Sequence, residues 1–260
     1  MATENLNSMG EDKAAAWVPN EEGEDPKESL PFTNKNDLTT VKLYQMGGSP
    51  PCIMVQAMFS YADINYEKVD VSFPLKSEIS WSTYKKIPIV TLNGLQVNDS
   101  YIIFKQLAPL IFGRTITESE AVQIKSVAYE AMIALEAETF ENSDALSKFV
   151  DGYVAKDCCT ANTMGHVIKL MLPQMASGIR SKNPDLKPFK THCETFKAAI
   201  TGKFVGGSEP GPYDIMMYAL FAMHKHVKID MYEEMWKELQ LTEWYDSMTG
   251  VFAAKTPFLE

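Results

Sequence analysis

The stretch Leu43-Tyr44-Gln45-Met46-Gly47-Gly48-Ser49-Pro50-Pro51-Cys52 decides how the fold is read. Val41-Lys42-Leu43-Tyr44 alternates apolar and polar residues, the period-2 pattern of a short strand. Gly47-Gly48-Ser49-Pro50 breaks that pattern. Pro51 suits the first turn of a helix, where its missing N–H is no loss and its φ is already helical. Ile53, Met54, Ala57, Met58 and Tyr61 then recur on one face of a 3.6-residue period, which predicts a core-facing helix ending near Ala62. A strand therefore turns into a helix here, with a hydroxyl and a thiol three residues apart at the turn.

Downstream, residues 66–71 alternate as a second strand, and a polar stretch over residues 72–86 contains Trp81 and Tyr84. Ile87-Pro88-Ile89-Val90-Thr91-Leu92 and Leu95-Gln96-Val97 flank Asn93-Gly94, a strong local signal for a β-hairpin. A helix over residues 99–112 follows, capped by Asn98 or Asp99. From Thr117 onward no strand pattern is found. Val122, Ile124, Val127, Met132, Leu135 and Phe140 recur at helical spacing, and further helices are predicted near 161–179, 188–201, 213–226, 232–238 and 242–252. The order is β-α-β, hairpin, helix, then helices alone. It predicts an α/β domain over residues 39–114 and an all-helical domain over 118–256.

Residues 1–38 hold nine acids against three lysines, a net of -6, with little periodic apolar pattern. They read as a disordered acidic leader, too poor in apolar surface to offset the entropy of ordering. The chain as a whole carries -10 and has no run of Lys or Arg, which argues against a nucleic-acid surface. Four cysteines at uneven spacing make no disulfide scaffold and no C-x-x-C metal pattern. That usage, with no signal core or transit-peptide pattern, points to a reducing, cytoplasmic setting. The longest apolar run, near Ile215–Met223, is about half of what a membrane-spanning helix needs.

Ser49 and Cys52 lie where a helix N-terminus favours an anion and can lower the pKa of a thiol. The alternative is that Ser49 only caps the helix and Cys52 is a small buried hydrophobe. Two further turns weigh on that choice. Ile87-Pro88 precedes a strand where thioredoxin-like folds carry a cis proline, leaving nearby backbone free to pair with a peptide. Asn98-Asp99-Ser100 opens another helix, whose N–H groups suit a carboxylate while the Asp can hold an ammonium. A thiol, a peptide backbone and an α-amino acid end are the chemical outline of glutathione.

On these residues the chain resembles the glutathione transferase superfamily over about residues 40–254. Ile87-Pro88 stands at the cis-proline position and Asp99-Ser100 at the γ-glutamyl-binding position, while Gly206-Gly207 and Asp214 resemble the start of a helix in the C-terminal domain. Within it, the prostaglandin E synthase type 2 branch resembles this chain in Leu43-Tyr44-Gln45, Pro50, Cys52, Val97-Asn98-Asp99-Ser100 and Trp244-Tyr245. That branch has a Cys-x-x-Cys motif with a Tyr three residues before it. Ser49 and Met46 stand there instead, which argues against prostaglandin isomerisation and excludes dithiol chemistry at this motif. The capping box of the helical domain has Gly211 in place of Ser or Thr, at a cost of a few tenths of a kcal/mol.

The resemblance implies a thioredoxin-like domain followed by a glutathione transferase-type helical bundle, no tightly bound cofactor, glutathione as cosubstrate and a homodimer. It implies that Ser49 is the catalytic hydroxyl, as in serine-type transferases, that Ile87, Pro88, Asp99 and Ser100 hold glutathione, and that Cys52 is a further candidate. Lowering a thiol pKa from roughly 8.5 to roughly 6.5 yields only about a threefold net gain once lost nucleophilicity is counted, so most rate must come from placing the thiolate beside an electrophile. Conjugation to a small apolar electrophile, or an isomerisation, is one expectation; a non-catalytic binding or scaffolding module is the other. No metal site is expected: His224 and His226 cannot share a helix face, and a disulfide between adjacent Cys158 and Cys159 would be strained.

Overall fold

The structure, a computed structural model, describes residues 15–16, 29–72, 75–153 and 160–259. The chain divides into two compact units, residues 1–121 and 122–260. Most of the expected leader lies outside the described residues, as do Cys158 and Cys159.

The first unit holds a five-stranded sheet ordered β1-β5-β4-β2-β3, where β1 is Ala15–Ala16, β2 Val41–Gln45, β3 Glu67–Asp70, β4 Ile89–Leu92 and β5 Leu95–Asn98. β2 and β3 run parallel, joined by α1 (Pro50–Ala62), while β4 pairs antiparallel with both β2 and β5. The hairpin turns at Asn93-Gly94, both at positive φ, as its Asn-Gly sequence requires. α2 (Ser100–Phe112) follows and packs on α1. The order β-α-β, hairpin, helix is the one the sequence predicts. The second strand is shorter than expected, and β4 begins directly after the cis Ile87-Pro88 bond.

Order begins earlier than the predicted domain start at residue 39. Leu30 is buried, Asn34 and Asp37 close a capping box around a single turn at Lys35–Asp37, and Asn93 Oδ1 accepts from the backbone N–H groups of Thr39 and Thr40. Sequence reasoning assigned residues 29–38 to the leader by their polarity; that same polarity is spent on local hydrogen bonds.

Strand register sorts the side chains into two layers. Val41, Leu43, Val90, Leu92 and Val97 share one face. Tyr44 and Ile89 lie on the other, under Val71, Ile79 and Tyr84, with Trp81 and Ile87 packed alongside. The polar stretch over residues 75–86 is therefore an irregular cover for the sheet, pinned by Ile79, Tyr84 and the Trp81 indole N–H, which donates to Glu78 O at 2.8 Å.

In the second unit the described ordered elements are helical, as expected. α3 (Glu118–Ser126), α4 (Met132–Glu141), α5 (Ser143–Tyr153), α6 (Thr160–Lys182), α7 (Phe189–Ala199), α8 (Pro212–His226), α9 (Met231–Glu238) and α10 (Thr242–Phe252) follow in order. A π turn at Val127–Ala131 links α3 to α4 and has no signature in the apolar spacing. α8 is buried almost all round, and its start is tied by Asp214, which accepts from Gly211 N–H at 2.9 Å, Val205 N–H at 3.2 Å and Trp244 Nε1–H at 2.9 Å. Gly211 supplies no side-chain cap, so half of the reciprocal box survives.

Candidate functional site

Three turns meet at one end of the sheet because the register aligns them. Tyr44 pairs with Ile89, and Ile89 with Asn98. The β2–α1 turn, the cis Ile87-Pro88 bond and the start of α2 thus lie side by side, and Asp99 N–H donates to Pro88 O at 3.4 Å. Of the sequence-predicted site residues, Ser49, Ile87, Pro88, Asp99 and Ser100 all belong to this end.

At the first turn, Ser49 is the N-cap residue of α1 but makes no side-chain cap bond. An N-cap oxygen accepts from the N–H at N2 or N3; Pro51 at N2 has none, so Cys52 at N3 is the one candidate donor, and Ser49 does not take it. The Ser49 hydroxyl lies beside the Cys52 thiol instead, where it favours the ionised form of the sulfur. Neither pure alternative for Ser49, cap or ligand contact, describes that arrangement. The prolines also change the expected anion site: Cys52 is the first helical residue with an N–H at all, and Ile53 N–H is already bonded to Ser49 O at 3.0 Å.

Cys52 corrects the idea that the helix start lowers its pKa. Burial pushes the thiol up to about 11, against the opposing hydrogen bonds from Ser49 and from the Met46 backbone, with the Asp70 carboxylate adding to the rise. The side chain is fully buried. Desolvation of a thiolate outweighs one helix dipole.

At the third turn the structure selects Asp99 over Asn98 as the α2 cap: Asp99 Oδ1 accepts from Tyr101 N–H at 2.9 Å and Ile102 N–H at 3.3 Å. Asp99 is buried and holds φ 71° and ψ 130°, a region that residues with a Cβ rarely adopt. Ser100 is buried behind it. The sequence offers Asn98 only as the alternative cap of α2, a role it does not take. Its Oδ1 accepts from Gln96 Nε2 at 2.6 Å, while its Nδ2 is buried without a hydrogen-bond partner. The only sequence signal for it is its place beside Asp99.

Among the described residues, no group of three His, Cys, Asp or Glu is placed to hold a metal ion, and no helix is long and apolar enough to cross a membrane. His224 is instead a buried core residue: Nε2 lies 3.1 Å from Thr139 Oγ1, which also contacts Tyr232 OH at 3.1 Å, and Nδ1 lies 2.9 Å from Leu220 O.

Known structures place this architecture. A glutathione transferase from Methylococcus capsulatus str. Bath superposes at a TM-score of 0.52, with 15% identity, over 83% of this chain and 96% of its own. One from Xanthobacter autotrophicus Py2 gives 0.50 and 14% over 85% and 96%. These likenesses show that the chain has a glutathione transferase-type fold. Its sequence is similar to a particular branch: prostaglandin E synthase 2 of Danio rerio is 38% identical over 92 residues, and that of Mus musculus 33% over 94 residues. Each match spans 34% of this chain and 24% of the relative. No protein-family model matches.

Proposed function

We propose that this chain binds glutathione at the end of the sheet formed by the three turns, and that it transfers the tripeptide to a small apolar electrophile or uses it in an isomerisation. In this reading Ile87 and the cis Pro88 bond offer backbone to the peptide. Asp99 and Ser100 take the γ-glutamyl end, and Ser49 donates a hydrogen bond to the bound thiolate. The thiolate then adds to the electrophile and displaces its leaving group. The observation that carries the reading is Asp99, a buried carboxylate in a strained backbone conformation whose N–H bonds to the carbonyl of the cis proline. Such strain persists where surrounding structure enforces it, and it gathers at ligand sites.

A specific observation also favours the non-catalytic alternative. The Ser49 hydroxyl acts on the buried Cys52 thiol beside it, and the Pro-Pro start removes backbone donors that would otherwise steady a bound thiolate. Prostaglandin isomerisation is the less favoured activity, because Ser49 and Met46 replace the Cys and Tyr of that branch. The reading extends to a homodimer working in the cytoplasm, which light scattering and fractionation test directly.

Titration with glutathione, followed by a conjugation assay with 1-chloro-2,4-dinitrobenzene, separates the alternatives. Binding with turnover supports the transferase, and Ser49→Ala should then lower turnover while leaving affinity intact. Binding without turnover supports the module. Absence of binding, or unchanged affinity in Asp99→Ala, overturns the glutathione site.

A further inference from the structure

The helical unit contains a cleft that the proposed glutathione chemistry does not use. The π turn at Val127–Ala131 interrupts an otherwise regular helical run from α3 into α4. Single π turns of this kind are uncommon and recur at functional sites. Here the turn lines a cavity of about 170 Å³, which α7 and α8 close from the other sides. A water takes roughly 30 Å³, and a cavity of about 150 Å³ can hold benzene, so the space fits one small organic molecule.

Its walls define the chemistry. Val127, Ala131 and Met217 give an apolar floor. Glu130 and Lys187, both exposed, set one charge of each sign at the rim. The Ser126 hydroxyl donates to Glu130 Oε2 at 3.1 Å and orients that carboxylate. His192 lines the cavity with 9% of its surface exposed, and its Nε2 has no hydrogen-bond partner. Burial lowers the pKa of the imidazole and disfavours its charged form. A buried polar nitrogen without a partner costs stability, and a missing bound molecule is one explanation of it.

Opposite charges over an apolar floor match a zwitterion better than any singly charged ligand. We propose that the cleft binds a small apolar free α-amino acid of alanine-to-valine size. Its ammonium meets Glu130, its carboxylate meets Lys187 and the His192 imidazole, and its side chain rests on Val127, Ala131 and Met217. The site lies wholly within the second unit and does not depend on the glutathione reading.

The test is a titration of the full chain with L-valine, read by calorimetry and by the 15N shifts of the His192 ring. A ligand of this size should bind with a roughly millimolar dissociation constant. Isobutyrate, which lacks the ammonium, and isobutylamine, which lacks the carboxylate, should each bind about tenfold more weakly. His192 substitutions can disturb packing, so the variants that decide the matter are Glu130→Gln and Lys187→Gln on the exposed rim. Each should weaken valine binding by about fivefold or more with no change in the unfolding midpoint or in glutathione affinity. A silent His192 ring up to about 50 mM valine, well above that range, overturns the proposal and leaves an ordered water as the occupant. So does isobutyrate binding as tightly as valine, or rim variants that bind valine unchanged.

Discussion

Cys52 and Asp99 show how one residue's surroundings can reverse what its position promises. A thiol at a helix start ordinarily ionises more readily, yet burial pushes Cys52 up to about 11. Against an ordinary thiol value of about 8.5, that leaves about a few hundredfold less thiolate at neutral pH. Iodoacetamide should therefore label Cys52 at least about a hundredfold more slowly in the native chain than in the unfolded one, as peptide mass spectrometry would read. Comparable native labelling would mean that the thiol is open to solvent. Asp99 combines a cap with a backbone strain of about 1–3 kcal/mol. Asp99→Gly and Asp99→Ala both remove the carboxylate, but only glycine accepts φ 71° freely. Asp99→Gly should be more stable than Asp99→Ala by about 1 kcal/mol in urea unfolding. Both should lose glutathione binding alike, which separates the fold's use of this residue from the ligand's.

Element starts carry much of the molecule's polar bookkeeping. α1 begins with two prolines, which offer no N–H to a cap, and its N-cap hydroxyl makes no bond to the helix. α8 solves the same problem with Asp214, a fully buried carboxylate with three donors. Burial still raises its pKa ahead of the opposing hydrogen bonds. Asp214→Ala would leave Gly211 N–H, Val205 N–H and the Trp244 indole without an acceptor inside the core. A loss of about 3–5 kcal/mol in urea unfolding is expected, by analogy with breaking a buried charged network. A loss below about 1 kcal/mol would show that water replaces the carboxylate. α7 is started in a related way, through Glu138 Oε1, which accepts from Phe189 N–H at 2.8 Å.

At the scale of the whole molecule, acid should unlock the helical unit through His224. Its imidazole is buried against Thr139, Leu220 O and Tyr232, and burial brings its pKa down to about 4. The folded value lies below the unfolded value of about 6.5. The folded state therefore binds fewer protons between those two pH values, and stability falls as pH drops through that window. This one group accounts for about 2 kcal/mol of loss between pH 7 and pH 5. Urea unfolding of the native chain and of His224→Gln at both pH values should show a loss smaller by about that amount in the variant. Equal pH dependence in the two would mean that His224 charges without cost.

Much of this protein is legible in its residues alone, because strands, turns and caps are local. The alternation at Val41–Tyr44, the Asn93-Gly94 turn, the Pro51 start and the helical spacing beyond Thr117 predict the order of elements with no knowledge of contacts. Ile87-Pro88 and Asp99-Ser100 stand out as motif positions through the family resemblance that those local signals support. The state of each group was decided by tertiary structure. No local pattern says that Cys52 is desolvated, that Ser49 turns from its helix to the thiol, that Asp99 alone takes the cap at positive φ, or that a π turn opens a cleft beside His192. Burial and register depend on residues far apart in the chain, and a thiol's charge or a nitrogen's missing partner is settled only when those residues meet.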